Sequence, residues 1–154
     1  MEKKRKREYL NRNQIIGIVM VMLTILWVCF IFGNSSEVAE VSSQKSGAIA
    51  GWFSGIITER TIRKMAHLFE YGVLGILLSA DVTAFLHINK KGIFTALSIG
   101  LIIAVVDEMI QLTADGRSAQ ISDVCIDFVG VVLGTTTILV IINFLNKIKS
   151  NSKI

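Results

Sequence analysis

Three stretches of the chain carry side chains able to do acid–base or anion-binding chemistry. Lys64, His67, Glu70 and Tyr71 are spaced so that, on a helix, they share one face with Leu74. Asp107, Glu108 and Gln111 extend a face that begins with Gly100 and Ala104. Asp123 and Asp127 open a third face, continued by Gly130, Gly134 and Thr137. A carboxyl group beside a histidine suits general acid–base work, with His67 or Glu70 as base, Asp107 as its orienting partner and Glu108 as a further catalytic candidate. Lys64 and Arg117 suit a phosphate or sugar-phosphate headgroup, the arginine through a bidentate contact. Tyr71, Gln111, Asp123 and Asp127 are the other candidate substrate contacts. Carboxylates this close would not ionise independently, so titration would belong to the cluster. His67 and Glu70 with Asp107 or Glu108 could ligate a metal, but a lone histidine makes a weak zinc pattern, and no metal or other cofactor is assigned.

Such residues need elements to hold them, and the composition says what kind. The chain has 154 residues, 52% hydrophobic and only 18% charged, with no proline and a mean hydropathy of +0.60. An ordinary soluble domain is about 25% charged. Four apolar runs stand out: 15–32, 65–86, 93–112 and 124–145. At about 1.5 Å per residue each is long enough, or nearly so, to cross the hydrocarbon core as a helix. The first follows Lys3, Lys4, Arg5, Lys6 and Arg7, as in a signal peptide, but it outlasts the usual ~15-residue apolar region and lacks an A-x-A site. A retained helix is expected. Residues 1–14 and 146–154 would be basic tails flanking one domain at 15–145.

The sequence therefore predicts an all-α, polytopic membrane bundle of four transmembrane helices. Between spans one and two, the serine-rich stretch Asn34 to Ser46 has the composition of a surface loop. Ala48 to Ile57 is apolar but too short to cross, and with Trp52 and Phe53 it reads as a short interfacial or re-entrant helix. Gly47, Gly51 and Gly55, four apart, would give it one bare face for close packing. Cys29 and Cys125 are read as free thiols packed as small apolar groups.

Lysine and arginine divide eleven to five between the two sides of this topology, the larger share falling on the two tails and on Lys90 and Lys91. Both termini are therefore expected in the cytoplasm. The net charge of +4 is explained by this asymmetry and an anionic inner leaflet, not by nucleic-acid binding. On that topology the polar parts of spans two, three and four, with the connector 113–122, all lie toward the external face. The competing explanation is that they only neutralise one another, or snorkel to water at helix ends. Asp81 and His87 fall at the cytoplasmic boundary, where Asp81 reads as an interfacial charge.

Three strings carry a resemblance: Arg63-Lys64-Met65-Ala66-His67-Leu68-Phe69-Glu70-Tyr71-Gly72, then Asp107-Glu108-Met109-Ile110-Gln111, then Gly116-Arg117 followed by Asp123, Gly130 and Gly134. Together they resemble the VanZ-like family of small bacterial membrane proteins, whose namesake is linked to teicoplanin resistance. The likeness covers about residues 25–141. Asp127 stands where the family pattern more often has asparagine. The resemblance implies a bacterial cytoplasmic-membrane setting and a role in the cell envelope.

Three classes of function follow. The cluster could bind a lipid, a lipid-linked envelope precursor or a lipoglycopeptide at the outer face. It could act as a transferase or hydrolase on such a precursor. Proton-coupled transport is the third, disfavoured by four short spans without inverted repeats.

Overall fold

The computed structural model describes residues 12–52, 56–85, 89–118 and 120–151. Phe53, Gly55, His87, most of the N-terminal basic tail and the last three residues of the C-terminal one lie outside them. The described residues form five helices and no strand: α1 (Arg12–Ser35), α2 (Ala39–Trp52), α3 (Glu59–Phe85), α4 (Lys90–Gln111) and α5 (Ile121–Asn151). Four of these, α1, α3, α4 and α5, are long and apolar enough to cross a membrane. The protein is an all-α, multi-pass membrane protein.

With no proline to interrupt the apolar runs, each run propagates as one helix, and α5 carries on to Asn151. Local signals set one helix end and one turn. Asn89 caps α4 by accepting a hydrogen bond from the Gly92 amide at 2.9 Å. Beyond α4 the chain turns through Gly116, whose φ of +76° is the left-handed conformation that glycine adopts most easily.

α3 is the central helix, packed most extensively on α5 and also on α1, α4 and α2. The α3–α5 contact is backbone against backbone. A methyl group at Gly134 would collide with the Gly72 carbonyl, so glycine is required for that approach. The small core consists of Ile31, Tyr71, Leu74, Leu78, Val82, Ala96, Ala104 and Val131. Outward faces carry large apolar side chains such as Leu26, Phe69, Phe94, Ile102, Val140 and Phe144. That inversion of the soluble pattern suits lipid as the surrounding medium. Polar ties cross the interior: Ser79 bonds Thr135 at 3.1 Å, and Thr24 Oγ1 donates to Asp81 Oδ2 at 2.7 Å. Asp81, half-buried, is thus tied to α1.

Four details differ from the sequence reading. The serine-rich stretch is largely helical, because Ser42, Ser46 and Ala50 recur every four residues and bury that small-residue face on the bundle. The packed face of α2 is this one and not Gly47–Gly51, since Gly51 is exposed and meets nothing. On α5 the buried stripe runs through Asp127, Val131 and Thr135 with Gly130 and Gly134, so Thr137 turns outward and bonds the Leu133 carbonyl. Cys29 and Cys125 are free, but both are exposed.

Candidate functional site

At one end of the bundle, the first turns of α3, the last turns of α4 and the start of α5 come together. α3 contributes His67, which reaches between the neighbouring helices. Its Nδ1 lies 3.2 Å from Asp127 Oδ1 on α5 and 3.9 Å from Asp107 Oδ2 on α4. Both aspartates are 0% exposed. Gln111, one turn after Asp107, donates to Asp107 Oδ2 at 3.4 Å. Tyr71 is also fully buried, beneath the carboxylates, with its hydroxyl 3.5 Å from the Ile103 carbonyl. It is enclosed by core and lies away from the clefts described next.

Two clefts open beside this trio and share Arg63, His67 and Arg117 in their walls. The larger, about 210 Å³, is lined by Arg60, Arg63, Lys64, Arg117, Gln111 and Asp123 among others. The smaller, about 160 Å³, lies toward α1 and α2, with Asn34, Ser35, Lys45 and Glu70 in its wall. Lys64 approaches Asp123 at 4.0 Å, a loose pair at the rim. Arg117 Nη1 donates to the Ser35 carbonyl at 3.1 Å, and Arg63 Nη2 to Ser43 Oγ at 3.3 Å. The Nε atoms of both arginines are buried without a partner. Burial, and then the like charge of Arg63, pull the Arg117 guanidinium below its ordinary pKa. Both guanidinium-bearing side chains line both clefts.

The remaining candidates have other engagements. Glu70 takes a 2.8 Å hydrogen bond from Asn34 Nδ2 and faces the smaller cleft. Trp27 Nε1 bonds the Glu70 carbonyl at 2.9 Å, fastening α1 to the same turn of α3. Glu108 is buried and accepts a hydrogen bond from the Gln120 amide, so it braces the entry into α5. All ten candidate residues therefore sit at the same end of the bundle, but in distinct surroundings. Asp107 and Asp127 meet at His67, Glu70 lies on the neighbouring cleft, and Tyr71 and Glu108 are turned into packing.

Sequence reasoning did not single out Asn34, Ser35, Arg60 or Arg63 as site residues. Asn34 and Ser35 end α1, and only the fold of α1 and α2 over α3 brings them to Glu70 and Arg117. Arg63 carried a signal in the sequence, since it precedes Lys64 and lies one turn before His67.

The family model described as VanZ/LLP1 matches residues 20–143, from within α1 to within α5 and so across the whole site. The chain belongs to the VanZ/LLP1 family. No curated protein and no solved structure matches it.

Proposed function

We propose that this VanZ/LLP1 protein binds the phosphate-bearing headgroup of a membrane lipid or lipid-linked envelope precursor, at the external face of the bacterial cytoplasmic membrane. One observation carries the reading: Arg63 and Arg117 line both clefts, and Arg60 and Lys64 join them in the wall of the larger. A phosphate group accepts several charge-assisted hydrogen bonds at once and relieves the repulsion between the two guanidinium groups. The apolar outer faces of the helices would leave the lipid's tail in the bilayer. The lysine and arginine asymmetry supports the external placement, with both termini cytoplasmic. Sequestering or altering such a lipid would change susceptibility to glycopeptides such as teicoplanin. Direct capture of a lipoglycopeptide is a variant of the same reading.

A second reading, hydrolysis or transfer at that headgroup, is favoured by His67. It borders both clefts and rests against two buried carboxylates, an arrangement able to move a proton at the bound group. Protein reconstituted in neutral-lipid nanodiscs, titrated with short-chain phosphatidic acid and with a polyprenyl phosphate, tests the first reading. Saturable binding that the Arg63→Ala/Arg117→Ala double variant loses is the expected result. Absence of saturable binding, or binding indifferent to both substitutions, overturns it. Comparative mass spectrometry of envelopes with and without the protein separates the readings, because catalysis requires an altered component.

A further inference from the structure

Three ligand-type atoms from three helices meet at His67 without satisfying one another. One nitrogen of His67 and one oxygen each of Asp107 and Asp127 lie within 4.8 Å of one another. His67 Nδ1, Asp107 Oδ1 and both oxygens of Asp127 are buried yet make no well-directed hydrogen bond, even across the 3.2 Å approach of His67 to Asp127. Asp107 keeps one hydrogen bond, from Gln111, but a carboxylate such as Asp127, withdrawn from water with neither oxygen hydrogen-bonded, is costly in a protein interior. The nearby cations do not offset the cost by direct contact: Lys64 leans toward Asp123, and Arg117 bonds the Ser35 carbonyl.

We propose that His67, Asp107 and Asp127 ligate a divalent first-row transition-metal ion. The spacing about His67 fits. Ligands held about 2.0–2.2 Å from an ion at tetrahedral corners lie about 3.3–3.6 Å apart. The 3.2 and 3.9 Å separations from His67 Nδ1 bracket that range, and all three ligand atoms lie within 4.8 Å of one another. The charge fits as well, since a divalent ion cancels two carboxylates and leaves the buried group neutral, whereas a protonated imidazole cancels only one. An imidazole nitrogen with two carboxylates favours zinc or manganese over calcium or magnesium, which prefer oxygen throughout. Gln111, bonded to Asp107 Oδ2, acts as the outer partner that orients a ligating carboxylate. Three protein ligands leave a position for water or substrate, on the side where His67 borders the clefts. The sequence suggested Glu70 as the partner of His67 in any such site. The fold supplies Asp127 instead, because Glu70 is directed to Asn34.

The proposal stands without the headgroup reading, and its test uses metal alone. Full-length protein purified in detergent, stripped with chelator and titrated with Mn²⁺ or Zn²⁺, is expected to take up one equivalent per chain. Asp107→Asn and Asp127→Asn should each weaken uptake at least tenfold, while Glu70→Gln and Lys64→Ala retain it. Circular dichroism establishes that each variant is folded. A second measurement needs no variant: the pulsed electron paramagnetic resonance spectrum of bound Mn²⁺ should carry the ¹⁴N modulation of one coordinated imidazole. Failure of folded wild-type protein to bind either ion in a saturable way, or bound Mn²⁺ without that nitrogen signal, overturns the proposal.

Discussion

His67 Nδ1 and Asp127 Oδ1 stand 3.2 Å apart, although sixty positions and the whole of α4 separate them in the chain. The approach depends on how closely α3 and α5 run together, with Gly72 of one against Gly134 of the other a short way along. Asp127→Asn keeps the shape and removes the charge. Nearly full membrane abundance with loss of any His67-dependent function is expected. The check is membrane immunoblotting beside an assay of envelope composition or teicoplanin susceptibility.

Asp107→Asn should abolish the phenotype outright, also without lowering abundance. Its carboxylate is fully buried and is approached by both His67 and Gln111. Glu70→Gln should abolish it too if the smaller cleft is part of the same site, because Glu70 and His67 both line that cleft. Retention of full activity by both variants in the same assays would remove the acidic cluster from the functional account.

The arginines should be graded by what they lose. A charge-assisted hydrogen bond to a bound anion contributes roughly 1.5–3 kcal/mol. Arg63→Ala and Arg117→Ala are therefore each expected to weaken binding of a phosphate-bearing lipid by about tenfold or more. Lys64→Ala should cost only a few-fold, since its side chain is 39% exposed and already leans toward Asp123. Lys91→Ala, beyond the capped start of α4, should have no effect. Nanodisc titrations of the four variants read this order directly, and Lys64→Ala proving the most harmful would contradict it.

Much of this was legible in the chain because hydrophobic length is a strong signal. Four apolar runs became four long helices, and the small and acidic residues of α4, from Gly100 to Gln111, all fell on its buried face. The errors arose where polarity is ambiguous. Ser42 and Ser46 have the composition of a loop, yet as small residues four apart they make a packing face when another helix lies alongside. Thr137 shares the periodicity of Asp123 and Asp127 but leaves the interface, because the buried stripe on α5 advances in steps of four. Arg117 could be proposed as an anion ligand from its type alone. Its meeting with Arg63 in the walls of the same clefts depends on how the connector after α4 lies over α1 and α3, which no local pattern encodes.

Helix packing gives a prediction independent of chemistry. A side chain at Gly134 has nowhere to go but into the backbone of α3, so Gly134→Val must force the two helices apart. Overpacking of this kind costs about 3 kcal/mol or more. Gly33→Ala meets nothing within reach and should be silent. Thermal aggregation of detergent-solubilised protein should separate the two, with Gly134→Val losing its folded fraction and Gly33→Ala matching the parent chain.

The orientation on which the proposed external placement rests can be read without any ligand. The connector after α4 holds exposed Ser118, and the far end of α5 holds exposed Ser150. If both termini are cytoplasmic, Ser118→Cys in a background lacking Cys29 and Cys125 should react with a membrane-impermeant maleimide on intact cells. Ser150→Cys should react only after the cells are opened. The reverse pattern would put the arginine-walled clefts on the cytoplasmic side. The headgroup reading would then have to turn from exported envelope precursors to lipids of the inner leaflet, whereas the three ligand atoms at His67 would be unaffected.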